Sequence, residues 1–114
     1  MARDIGDVAT LQQYLRGVLE RAEHHAKDVD EIALAVLGAV LWRNDKLELE
    51  VKEYNGETAN VLWVNISGNR YALSYRHGPP GAIEVRERSV RGNVLKAFTN
   101  TTPIADVKRF FGAL

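Results

Sequence analysis

The sequence predicts an α+β fold: an antiparallel meander sheet of four to five strands packed by two N-terminal helices and one C-terminal helix. Three observations predict it. The hydrophobic period switches from that of a helix to that of a strand at Asp45. Turn signals then recur between short strand-like runs, and helix-like apolar patterns occupy both ends of the chain. The 114 residues suit a single domain spanning 1–114, and the apolar fraction of 46% is enough for one core.

The first helix is expected over residues 10 to 27. Leu11, Leu15, Val18, Leu19, Ala22 and Ala26 recur at spacings of three and four and share one side. Thr10 with Gln13 three positions on has the form of a capping box. Asp28, Val29, Asp30 and Glu31 then form a second start signal, in which Asp28 can cap and the acidic cluster suits the positive end of a helix dipole. Ile32 to Trp42 follows as an apolar run of 11 residues with no polar face. Its length and its Ala and Leu content favour helix over strand. A helix apolar all round must be covered all round. One sheet and one helix leave part of it over, so a second subunit is the expected cover. Ala35, Gly38, Ala39 and Trp42 are the residues expected at that contact, the small ones because they let another backbone approach.

Leu47, Leu49 and Val51 alternate with Glu48, Glu50 and Lys52, which reads as a half-buried strand. Asn55-Gly56 marks a tight hairpin, and Ala59 to Ile66 is the return strand. Ser67-Gly68-Asn69 is the next turn, and Arg70 to His77 the third strand. His77-Gly78-Pro79-Pro80-Gly81 reads as a stiff loop, with turn chemistry sufficient to explain it. Ala82 to Arg88 is the fourth strand and Asn93 to Asn100 a fifth. The last helix starts at Thr102-Pro103, with Thr as N-cap and Pro in the first turn, and carries Ile104, Val107, Phe110 and Phe111 on its apolar side.

With Leu62, Val64, Ile66, Tyr71, Leu73, Tyr75, Ile83 and Val85 facing the core, the alternation sends Glu48, Glu50, Trp63, Arg70, Arg76, Arg86 and Arg88 to the opposite sheet face. Two readings of that face are open. It is a cross-strand charge ladder in water, or it is a contact face, since Trp and Arg are enriched at interface hot spots.

Composition narrows the chemistry. The chain has no cysteine, which removes disulfides, thiol catalysis, Cys-ligated zinc and iron–sulfur clusters, and fits a reducing compartment. There is no basic or apolar leader pattern at the N-terminus and no run near the length of a membrane span, so a cytoplasmic protein without a membrane partner is expected. No nucleophile elbow and no Gly-rich phosphate loop is present, and no cofactor is implied. His24, His25 and Asp28 are the sole metal-like cluster. Adjacent histidines point apart, however, and a polar helix end explains them equally well.

The formal net charge is zero, which argues against a dedicated nucleic-acid binder. The zero is nevertheless sorted. Residues 1–57 hold 7 basic and 12 acidic side chains, and residues 58–114 hold 8 basic and 3 acidic.

The run His24 to Glu31, the apolar helix ending Leu41-Trp42-Arg43, Gly56 to Val64, Arg70 to Tyr75, and Asn100-Thr101-Thr102-Pro103-Ile104 together resemble a family of small bacterial proteins of unknown function that includes integron gene-cassette products. The resemblance covers roughly residues 10 to 112. It implies a compact cytoplasmic α+β protein, self-associating and carried on a mobile element, and it brings no catalytic residues. The expected function is a non-enzymatic interaction module acting as a homo-oligomer, with a protein or small molecule as partner. The alternative is a small-molecule-binding protein or enzyme with a pocket between sheet and helices, using His24, His25 or His77. Nucleic-acid binding through the basic sheet face, with Trp63, Tyr71 and Tyr75 as aromatic groups, is third.

Overall fold

The computed structural model describes residues 2–5, 12, 13, 15–17, 29–45, 49–54, 57–78 and 81–114. In chain order the elements are β1 (Ala2–Ile5), α1 (Ile32–Arg43), β2 (Leu49–Tyr54), β3 (Glu57–Ile66), β4 (Asn69–Arg76), β5 (Ala82–Glu87), β6 (Val94–Phe98) and α2 (Ile104–Gly112). Residues 12, 13 and 15–17 are also helical. The rest of the helix expected over 10 to 27 lies outside the described residues.

The strands form one antiparallel sheet in the order β1-β2-β3-β4-β5-β6. That is six strands, where the sequence predicts four to five. The additional strand is β1, which pairs with β2 through Arg3 opposite Val51 and Ile5 opposite Leu49. Four residues of mixed polarity, Ala2-Arg3-Asp4-Ile5, carry almost no local strand signal. Their extended form comes from hydrogen bonding to an edge more than forty residues away in sequence. Leu62, Val64 and Ile66 of β3, Tyr71 and Leu73 of β4 and Val85 of β5 are buried on the predicted face, because a slip of one residue would turn a whole apolar set toward water.

The core lies on one sheet face. Leu62 stands opposite Leu73, which stands opposite Val85, and Val64 stands opposite Tyr71. These residues, with Ile66 and Phe98, are buried under Ile32, Val36, Leu37, Ala39 and Val40 of α1 and Val107 and Phe111 of α2. Leu15 packs against the same cluster. Phe98 and Phe111 stack with ring centres 6.0 Å apart, and the Phe110 ring meets both edge-on.

Two side chains clamp the helix layer. Asn100 Oδ1 accepts the backbone N–H groups of Glu31 and Ile32, and its Nδ2 donates to Asp30 Oδ1 at 2.7 Å. The N-terminal N–H groups of α1 are thus satisfied from the segment just before α2. At the other end, Arg43 donates through Nε to the Phe111 carbonyl and through Nη2 to the Leu114 carbonyl. A cation at the C-terminal carbonyls of a helix is favourably placed. Start meets start and end meets end, so α1 and α2 run parallel. The start of α2 differs by one residue from expectation. Pro103 occupies the cap position, and Thr102 Oγ1 accepts the Thr99 N–H instead of capping the helix.

Candidate functional site

Three features of the described surface carry chemistry. The first is the sheet face opposite the helices. One row across it runs Glu50, Trp63, Ala72, Arg86 in register. The Arg70 guanidinium lies 5.2 Å from the centre of the half-buried Trp63 ring, a cation–π contact. Ala72, flanked by Trp63 and Arg86, is fully buried.

One strand position away, Glu84 lies between two arginines. Arg86 Nη2 meets Glu84 Oε1 at 2.8 Å, and Arg76 Nε meets Glu84 Oε2 at 3.3 Å. Glu84 is 7% exposed, although strand alternation assigns it to the wet face. Its burial is local: two long arginine side chains cover the carboxylate while pairing with it. Arg76 and Arg86 therefore share one buried carboxylate, which offsets one of their two charges.

The second feature is the loop joining β5 to β6. Arg86 Nη1 donates to the Gly92 carbonyl at 2.9 Å, which ties this loop to the sheet face. A Cβ at Gly92 would collide with the Glu87 carbonyl oxygen, so the loop requires glycine there. Arg88 has φ +63°, and its N–H donates to the Arg70 carbonyl at 2.9 Å. An arginine in the left-handed region is sterically disfavoured. Ser67 is the other non-glycine residue with positive φ among the described residues, and it sits in the tight turn with Gly68 that the sequence predicts. Arg70, Tyr71, Glu87, Arg88, Arg91 and Asn93 line a groove of about 670 Å³ at this end of the sheet. That position is at the β4–β5–β6 end and not between the sheet and the helices.

The third feature is the outer side of α1. Leu34, Gly38, Leu41 and Trp42 are exposed, with Leu34 at 61% and Trp42 at 56%. At 100° per residue these positions share an arc of about 100° on the helix. No charged side chain lies between Ile32 and Trp42. A Cβ built on Gly38 meets nothing within 4 Å, so the middle of the arc is open. Trp42 is held from below, since its ring lies against Gly112 of α2, and the Arg43 guanidinium lies 5.7 Å from the ring centre. Ile104, also exposed, sits at the start of the parallel α2.

Of the residues expected at a subunit contact, Gly38 and Trp42 lie on this arc and Ala35 is half-buried at its margin. Ala39 is buried against the core and so does not lie on the exposed arc. Leu34 and Leu41 belong to the arc in its place. The run has no polar residue to mark its outer side, so sequence alone could not tell which small residue faces in.

Of the other sites suggested by the sequence, His24, His25, Asp28 and Glu48 lie outside the described residues, as does the side chain of Glu50. Among the described residues no group of three or more His, Asp or Glu is placed to hold a metal ion. No helix among them is long and apolar enough to cross a membrane. His77 is exposed, and its ring meets Tyr75 edge-on at 4.9 Å.

A family described as integron cassette protein VCH_CASS1 chain matches residues 11–108. A comparison with curated proteins gave no match.

Proposed function

This chain belongs to that integron cassette protein family, and from this premise we propose that it is a non-enzymatic interaction protein working as a homo-oligomer through the outer arc of α1. The observation that carries the reading is the arc itself: Leu34, Gly38, Leu41 and Trp42 form a contiguous exposed apolar stripe on a rigidly clamped helix. Scattered exposed apolar residues need no partner, but a contiguous stripe is the mark of a contact surface.

The occupant that fits best is a second copy. An isologous contact sets the same patch against itself, so any charge in its middle would repel its own copy. This stripe holds none. Gly38 supplies a low centre between Leu34 and Trp42, into which the larger side chains of a facing helix can fit, in the manner of ridges entering grooves. Trp42, fixed between Gly112 and Arg43, enters such a contact with little rotamer freedom left to lose. A chain without cysteine suits a reducing compartment, and we take the protein to act in the cytoplasm.

The test is Leu34→Glu. The side chain is exposed, so the substitution leaves the monomer fold within about 0.5 kcal/mol. On self-association it buries a carboxylate against its own copy. Sedimentation velocity is expected to show the parent chain as an oligomer and the variant as a folded monomer. Equal sedimentation of the two, or a monomeric parent chain, contradicts the reading.

A further inference from the structure

We propose that β6 is a docking edge, to which a partner protein adds an extended segment that alternates acidic with apolar residues. The added segment becomes a further strand of the sheet. The proposal does not rest on self-association through α1.

β6 is the last strand of the sheet, and β5 is its one neighbour. A strand in that position offers a row of N–H and C=O groups to a chain lying beside it. No backbone hydrogen bond ties Val94–Phe98 to any other described element. The edge is also uncovered. Val94 is 44% exposed, Leu95 37%, and Val90 in the preceding loop 43%.

The register fixes what an added strand would meet. Val94 stands opposite Arg86 and Ala97 opposite Glu84, on the face turned away from the helices. Lys96 stands opposite Val85, on the helix side. A strand beside β6 therefore has small apolar neighbours on one face and a cation on the other. Alternate apolar and acidic side chains satisfy both faces.

Charge selects the acidic partner. From Arg88 to Ala105 the chain carries three basic side chains, Arg88, Arg91 and Lys96, and no acidic one. None of the three has an ion pair or a side-chain hydrogen bond among the described residues. The acids that flank this stretch have other partners. Glu84 holds Arg76 and Arg86, Asp106 holds Arg109, and Glu87 accepts Asn93 Nδ2 at 3.4 Å.

A second copy fits this edge badly. Lys96 is the middle residue of β6, so pairing two β6 strands about a two-fold axis sets Lys96 against its own copy. Leu95 has no partner on β5 and forms a bulge, a second device against copies of the same edge. A carboxylate opposite Lys96 turns that repulsion into attraction.

The experiment is fluorescence anisotropy with the full chain at low ionic strength. The probes are a labelled, end-blocked peptide alternating valine and glutamate, its valine–lysine counterpart, the valine–glutamate peptide with every amide N-methylated, and a single-stranded oligonucleotide. Saturable binding of the valine–glutamate peptide is expected, weakened roughly tenfold by Arg91→Glu and by Lys96→Glu. Arg91 is exposed, so its variant keeps the fold, and thermal melting of both variants checks this. N-methylation should weaken binding at least tenfold, because it removes the main-chain donors and leaves the charges in place. No saturable binding, equal binding of the valine–lysine peptide, or undiminished binding after N-methylation overturns the proposal. So does tighter binding of the oligonucleotide, in favour of a nucleic-acid partner. Self-association of the parent chain that is lost in Lys96→Glu would assign the edge to a second copy instead, and would also overturn it.

Discussion

Asn100 Oδ1 accepts the backbone N–H of Ile32 at 2.9 Å, across 68 positions of sequence. The same oxygen takes the Glu31 N–H, and the amide nitrogen reaches Asp30. One side chain therefore caps α1 and fixes the approach to α2. Asn100→Ala is expected to lower unfolding stability by about 1–2 kcal/mol. Asn100→Asp should cost at least as much at neutral pH, although Asp caps helices as well as Asn does, because it sets a carboxylate against Asp30. Urea unfolding of the three chains checks both; a neutral Asn100→Asp would mean that the Asp30 contact contributes nothing.

Glu84 joins two arginines that are otherwise near neighbours of like charge. Glu84→Ala should destabilise the fold by about 1–3 kcal/mol, since it leaves Arg86 partly buried without its partner. Glu84→Gln keeps hydrogen-bonding capacity and should cost less. Guanidinium would screen the pairs, so the comparison belongs in urea. Equal stability of all three chains would show the triad to be energetically silent.

Opposite outcomes are expected at two positions of one loop. Gly92→Ala meets the Glu87 backbone and should destabilise by about 1–3 kcal/mol. Arg88→Gly relieves a left-handed arginine and should stabilise by about 0.5–1 kcal/mol, after the greater freedom of glycine in the unfolded chain is allowed for. Thermal melting distinguishes them, and a lower melting point for Arg88→Gly would contradict the backbone account.

Gly38→Ala should separate folding from association. The added methyl meets nothing within 4 Å in the single chain, and helix propensity favours alanine by about 1 kcal/mol. Across a close helix contact the same methyl holds the partner away. The variant should therefore unfold later when dilute and dissociate at a higher concentration than the parent chain.

Much of the fold was legible from period alone. Strands β3, β4 and β5 bury Leu62, Val64, Leu73 and Val85 where alternation assigns them, because residues adjacent in sequence must point to opposite faces. The apolar run at Ile32 has no such period, and its helix was legible from length and from Ala and Leu content. What escaped the sequence was set by distant partners. Ala2–Ile5 is a strand because β2 offers an edge, and Asn100 is a cap because chain topology returns it to Ile32. Glu84 is buried by Arg76 and Arg86 on a face that alternation marks as wet. The site residues were harder still. Trp63, Arg70 and Arg88 were named from face parity, but the groove depends on a left-handed Arg88 and a crowded Gly92, and neither leaves a periodic signal.

The most direct test of the central claim is the mass of the full chain in solution, measured by light scattering on the eluting peak across the micromolar range. The account predicts at least twice the 12.7 kDa of one chain, falling toward one chain in Leu34→Glu. A mass of 12.7 kDa for the parent chain throughout that range would contradict it.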